Sequence, residues 1–101
     1  MKKATTQPWD PSKYINTKED MAAYLEAALE DGDPKIVAGV LGDIARSRGM
    51  TELARETGLG RESLYKSLSS NGNPEFATIL KVTKALGLKL RAVPDTGDEA
   101  A

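Results

Sequence analysis

Residues 50–69 read MTELARETGLGRESLYKSLS, and this stretch decides the fold. Its spacing predicts two short helices joined by a three-residue turn, with Thr51 capping the first helix and Gly58 taking a left-handed conformation at the turn. Leu64 and Leu68 fall on one face of the second helix and mark its buried side. This spacing is typical of a helix-turn-helix. It favours a DNA-reading unit over a plain helical hairpin, which the same residues also allow.

The residues on the N-terminal side predict an arm followed by two helices. Residues 1–16 read as an extended arm because prolines flank Trp9. Residues 17–31 form an accessory helix that starts with a capping-box pattern and has an acidic outward face. A scaffold helix then follows, with Asp33 as its cap and Gly49 as its end.

The residues on the C-terminal side predict one more helix, a strand and a tail. Asn73 and Pro74 are expected to start the helix, whose apolar residues close the core: Phe76, Ile79, Leu80, Val82 and Leu86. Alternation over residues 88–93 predicts a short β-strand, which must pair with the N-terminal arm or with a second copy. Residues 94–101 are expected to be a disordered tail. The fold class is therefore all-α, a compact bundle of about five helices over residues 17–93 with a short C-terminal β-strand.

Composition limits the function classes. A chain of 101 residues with 40% apolar and 29% charged residues is expected to be one soluble globular domain. It contains no cysteine and no histidine, which removes disulfides, thiolate metal sites and the commonest general base. We therefore expect no enzyme, no metal and no cofactor. The sequence has no apolar run that would span a membrane and no signal peptide, which favours a cytoplasmic protein.

Charge is unevenly distributed along the chain. The formal charge is −3 over residues 1–33, +5 over residues 34–91 and −3 over residues 92–101. The basic excess therefore coincides with the predicted helix-turn-helix, as expected for a nucleic-acid-binding protein. Ordinary charge scatter is the alternative interpretation.

The second helix of a helix-turn-helix enters the major groove of DNA. Candidates for contacts with base edges are the polar residues on its outward side: Arg61, Glu62, Ser63 and Tyr65. Candidates for contacts with phosphates lie on it and around it: Thr51, Lys66, Asn71 and Asn73. The alternative is that these are ordinary residues of a solvated helix. Since a lone helix covers about 4 to 5 base pairs, we expect a homodimer on an inverted repeat of operator DNA.

Four segments, in this order, carry a family resemblance: TKEDMAAYLEAALEDGDP (17–34), GDIARSRGM (42–50), RESLYKSLS (61–69) and NPEFATILKVTKALGLKLRA (73–92). Over residues 14–93 the chain resembles the addiction-module antidote proteins, which are HigA-like antitoxins of the Cro/C1 (XRE-type) repressor class. The resemblance implies a lambda-repressor-like fold.

Two positions depart from the family pattern. Gly60 stands where the family often has a serine that caps the second helix and touches a phosphate, and Ser67 stands where a small apolar residue is usual. A glycine in place of the serine loses that contact, although capping itself weakens by only a few tenths of a kcal/mol.

The resemblance implies the antitoxin of a type II toxin-antitoxin module. Such a protein neutralises a small basic toxin, a RelE/HigB-like ribonuclease, and represses their shared operon. An acidic surface with aromatic anchors suits a basic partner, so the candidates for toxin binding are Trp9, Tyr14, Glu26 and Glu30. One alternative is a phage-type or stand-alone repressor without a toxin partner. Another is a protein-binding module with a vestigial helix-turn-helix, favoured by acids beside the reading surface: Glu52, Glu56 and Glu62.

Overall fold

The computed structural model describes residues 11–96 of the chain, with side chains from residue 13 onward. A 3-10 helix, Pro11–Tyr14, precedes five α-helices: α1 (Lys18–Asp31), α2 (Pro34–Arg48), α3 (Met50–Thr57), α4 (Arg61–Ser67) and α5 (Phe76–Ala85). Over residues 11–96 the fold is all-helical and contains no strand. Within that range no helix is both long enough and apolar enough to cross a membrane.

The first two helices begin at the predicted caps. The Thr17 hydroxyl accepts a hydrogen bond from the Asp20 amide at 3.0 Å, and the Asp20 carboxylate accepts one from the Thr17 amide at 3.1 Å. This is the predicted capping box, and it satisfies amides that the first helical turn leaves unpaired. The Asp33 carboxylate accepts a hydrogen bond from the Lys35 amide at 2.9 Å, with Pro34 as the first residue of α2.

Helix α2 lies at the centre of the molecule. It packs against the 3-10 helix and against α1, α3 and α4, while α5 packs against α3. The middle of α2 is therefore fully buried, with Leu41, Ile44 and Ala45 at 0% exposure. Around them lies one continuous apolar core: Ile15, Met21, Leu25, Ala28, Val40, Met50, Leu53, Leu64, Leu68, Val82 and Leu86. Burial of such large side chains contributes about 1.5–3 kcal/mol each, so the fold depends chiefly on the faces that surround α2.

The end of α4 approaches α2 so closely that only glycine fits between them. A Cβ atom added to Gly42 would overlap the carbonyl oxygen of Leu68, the residue that follows α4. Gly39 lies one turn earlier on α2, and a Cβ atom there would meet Ser70 at an ordinary contact distance of 3.7 Å. The backbone of α2 at Gly42 therefore sets how near α4 can come.

We expect Gly42→Ala to lower the free energy of unfolding by about 1–3 kcal/mol, because the methyl group forces α4 away from α2. The matched control is Gly39→Ala, which adds the same methyl group on the same helix without a clash. There the higher helix propensity of alanine should leave stability unchanged or raise it by up to about 1 kcal/mol. Urea unfolding followed by circular dichroism measures both. Equal effects of the two substitutions would contradict the assigned contact.

A side-chain hydrogen bond joins α1 to α2. The Tyr24 hydroxyl donates to a carboxylate oxygen of Asp43 at 2.9 Å, and Asp43 also pairs with Arg46 one turn along α2. Burial of the phenol, and then the hydrogen bond to Asp43, raise the pKa of Tyr24 to about 12. Both effects favour the neutral phenol in the folded protein.

The raised pKa makes this contact sensitive to alkaline pH. An unfolded tyrosine has a pKa of about 10, so the contribution of Tyr24 is fully present below that pH. It is lost as the pH rises through the folded pKa of about 12. We expect Tyr24→Phe to be about 1 kcal/mol less stable than the wild type at pH 8. The difference should shrink toward zero near pH 12, and a constant difference in urea unfolding across that range would contradict this assignment.

The predicted strand at residues 88–93 is wrong. After α5, Gly87 takes a left-handed conformation with φ +81°, and the Leu88 amide donates to the Thr83 carbonyl at 2.9 Å. Leu88 then packs on the core, and residues 88–96 have no regular secondary structure. A strand needs a neighbour for its backbone groups, and no strand is present among the described residues to supply one. Of the alternating apolar residues only Leu88 contacts the core, while Leu90 and Val93 are exposed, so the alternation does not mark a β-ladder.

Two predictions around α5 are also wrong. The helix begins at Phe76 with Glu75 as its cap residue, two residues later than the predicted start at Asn73 and Pro74. Phe76 and Leu80 do not close the core, since they are 67% and 45% exposed. The core contacts here come instead from Val82, in the second half of α5, and from Leu86, the residue that follows the helix.

Two predictions on the N-terminal side also differ from the structure. Thr51 does not cap α3, because Gly49 is the cap residue and Thr51 is already the second residue of the helix. In the predicted arm over residues 1–16, Pro11–Tyr14 form a 3-10 helix and Ile15 is buried in the core. Residues 1–10, with Trp9, and residues 97–101 of the predicted tail lie outside the described range.

Candidate nucleic-acid interface

Helix α4 is attached to the core by one side only. Leu64 and Leu68 are buried at 1% and 2% exposure, as predicted. The turn before α4 is also as predicted, because Gly58 ends α3 in a left-handed conformation with φ +75°. Its amide donates to the Ala54 carbonyl at 2.9 Å, and Leu59 packs on the core next to it. The turn and the two leucines together fix the orientation of α4.

None of the four candidates for base contacts is buried against the core. Arg61, Glu62, Ser63 and Tyr65 are all exposed to solvent. The Arg61 guanidinium lies over the Tyr65 ring, 5.3 Å from its centroid. This cation–π contact holds the cation and the aromatic ring as one unit, because the two residues are one turn apart on the helix.

The candidates for phosphate contacts lie on three parts of the chain, namely α3, α4 and the loop that follows α4. Lys66 is exposed on the helix itself, and Thr51 is exposed on α3. Asn71 and Asn73 are exposed in the loop after α4. That loop folds tightly over the helix end, because a Cβ atom on Gly72 would overlap the carbonyl oxygens of Lys66 and Ser67. The loop thereby brings both asparagines to the end of α4.

Two of the three acids beside this surface are paired with arginines. Glu52 accepts a hydrogen bond from Arg55 at 3.3 Å, and Glu56 accepts one from Arg48 at 2.8 Å. The pairing reduces the negative charge that α3 presents next to α4, whereas Glu62 forms no ion pair in the described part of the chain.

Arg48 makes more contacts than its position in the sequence predicts. Its position in the last turn of α2 predicts a cation that complements the helix dipole or touches a phosphate. In the structure it also donates to the Ala85 carbonyl at 2.8 Å. Together with its ion pair to Glu56, this joins α2, α3 and the end of α5. Only the position of Arg48 in the last turn of α2 marked it in the sequence, because both of its partners lie elsewhere in the chain.

The candidates for toxin binding do not form one patch among the described residues. Tyr14 is 65% exposed in the 3-10 helix, on the N-terminal side of α1. Glu26 and Glu30 are exposed in the second half of α1, where they line a groove that Tyr14 does not reach. Trp9 precedes the described residues. Across residues 11–96 there is no cluster of carboxylates that would hold a metal ion.

Comparison with known proteins gives one family. Residues 5–94 match the family described as "Probable addiction module antidote protein". The chain is also 42% identical, over 83 residues, to a protein of Haemophilus influenzae described as uncharacterised. That alignment covers 82% of this chain and 86% of the relative. No solved structure matches the chain.

Proposed function

Since the chain belongs to the family of probable addiction module antidote proteins, we propose that it is the antitoxin of a type II toxin-antitoxin module. It binds and neutralises a small basic toxin of the RelE/HigB-like kind and represses its own operon through a HigA-like, XRE-type helix-turn-helix made by α3 and α4. Membership of an antidote family implies a cognate toxin as partner. The observation that carries the DNA-binding part is the exposed Arg61–Tyr65 pair on a helix fixed by two buried leucines.

In the proposed complex, α4 enters the major groove and α3 crosses the backbone. In this proposal Arg61 forms a bidentate hydrogen bond with a guanine edge, and the Tyr65 ring supports its guanidinium plane. Glu62 and Ser63 complete the base contacts. Phosphate contacts come from the residues around them: Thr51, Lys66, Asn71 and Asn73. Specific repression requires two copies on an inverted repeat, with reading helices about one turn of DNA apart.

In the proposed toxin complex, the acidic side of α1 meets the basic partner. Glu26 and Glu30 are exposed and form no ion pair in the described part of the chain, so their charge is available to a partner. Complementary charge speeds encounter, and aromatic side chains such as Tyr14 and Trp9 supply contact area. The proposal places both activities in the cytoplasm and gives the chain no catalytic role.

Two other functions remain distinguishable from this one. A stand-alone repressor would bind operator DNA and have no toxin, which membership of an antidote family disfavours. A protein-binding module with a vestigial reading helix would not bind DNA, and the acids beside α4 favour it. The pairing of Glu52 and Glu56 with arginines weakens that argument.

One experiment with two variants separates the two proposed activities. We expect Arg61→Ala/Lys66→Ala to lower affinity for the DNA upstream of its own gene at least about tenfold, because a base contact and a phosphate contact are lost. The same variant should still rescue growth when co-expressed with the small basic protein encoded beside this gene. We expect the reverse for Trp9→Ala/Tyr14→Ala. Substitutions are preferable to deletion of α1, because Met21, Leu25 and Ala28 of that helix are buried.

The matched control for the DNA measurement is Lys81→Ala/Lys84→Ala, which removes the same number of exposed cations from α5. It should change affinity less than about threefold. If the control and the α4 variant lose affinity equally, α4 is not the reading helix. If Trp9→Ala/Tyr14→Ala still neutralises the toxin fully, the arm is not part of the toxin surface.

A further inference from the structure

A groove of about 820 Å³ lies between α1 and the segment that follows α5. Its apolar side chains come from both walls: Ala22, Leu25, Leu29, Leu88, Leu90 and Val93. Three of these are open to solvent, since Leu29 is 50%, Leu90 37% and Val93 68% exposed. These side chains form an apolar strip that begins at Leu25, a residue of the core. No residue in the range 11–96 covers this strip.

The two walls of this groove carry opposite charges. On α1 they are Glu19, Glu26 and Glu30, and on the segment after α5 they are Lys89 and Arg91. All five are exposed, and no ion pair joins any of them within the described residues. Lys18 is an exception to this division, and its side chain lies against Gly87 on the same lining. A complementary partner must place basic residues against α1 and acidic residues against the segment after α5.

We propose that this groove is the contact between two copies of the chain. An isologous interface requires a surface that is complementary to itself. A two-fold axis parallel to the groove turns the acidic wall of one copy toward the basic wall of the other. Glu26 and Glu30 of each copy then face Lys89 and Arg91 of its partner, and the apolar strips meet between them. This inference goes beyond the proposed function, which requires two copies but does not say where they touch.

The charges also select this arrangement over pairing of the two C-terminal segments with each other. An antiparallel ribbon of residues 88–93 from both copies would bring four cations into a short stretch, with Lys89 near Arg91 of the partner. Like charges directly across a ribbon are destabilising. Packing each segment against α1 of the partner replaces that repulsion with two sets of opposite charges.

The arrangement has a consequence for regulation. Glu26 and Glu30 also belong to the toxin surface proposed above, so a toxin bound there and a second copy compete for the same side of α1.

Charge reversal of each wall tests the inference with the purified full chain alone. We expect the wild type to form dimers at about 50 μM in sedimentation velocity, and Glu26→Lys/Glu30→Lys and Lys89→Glu/Arg91→Glu each to weaken self-association at least about tenfold. A one-to-one mixture of the two variants should recover the wild-type dissociation constant within about threefold. In the mixed dimer, each wall again faces its opposite.

The matched control is Lys81→Glu/Lys84→Glu, which changes the net charge as much as the basic-wall variant but lies on α5. It should leave self-association within about threefold of the wild type. The inference is overturned if the wild type stays monomeric at about 200 μM, if the control weakens association as much as either wall, or if the mixture does not recover dimers. Circular dichroism melting confirms that all variants fold. None of these readings involves DNA or toxin, so a chain that dimerises elsewhere overturns this inference and leaves the proposed function standing.

Discussion

The close contact between α2 and the end of α4 is the constraint on which the candidate interface depends. Gly42 lets the backbone of α2 contact the carbonyl of Leu68, and the side chains of Leu64 and Leu68 are buried in the core. Because interiors are close-packed, α4 has little freedom to rotate about this contact. The side of α4 that faces away from α2 is thereby held in one orientation. A short helix of seven residues would otherwise be marginal by itself.

Local signals in the sequence predicted where most of the helices begin and end. They did not predict the contacts between residues that are distant in the sequence. Thr17, Asp33 and Gly58 act within a few residues of themselves, and each does what its position predicted. Gly42 looked like any glycine in a helix, because the carbonyl that excludes a side chain there belongs to a residue 26 positions later. Phe76 is apolar but exposed, and periodicity alone does not show whether an apolar side chain is buried or exposed.

The same distinction between local and distant contacts applies to the candidate site. Arg61 and Tyr65 are one turn apart, so their exposure and contact follow from helical periodicity. The apolar alternation over residues 88–93 was read as a strand because alternation does not reveal whether a neighbouring strand exists. In the structure this segment forms the basic wall of a groove against acidic α1. The acidic residues of α1 and the basic residues after α5, which are distant in the sequence, therefore form opposite walls of one groove.

If α4 presents cations to DNA, as we propose, the affinity for DNA must depend steeply on salt concentration. The measurement is the affinity of the wild-type chain for a duplex carrying its own upstream region, and for a scrambled duplex, between about 50 and 200 mM salt. We expect the logarithm of the association constant to fall linearly with the logarithm of salt concentration, with a slope of about −2 or steeper. The chain's own upstream duplex should be preferred at every salt concentration. Affinity that is independent of salt and equal for both duplexes would show that α4 does not bind DNA through its cations.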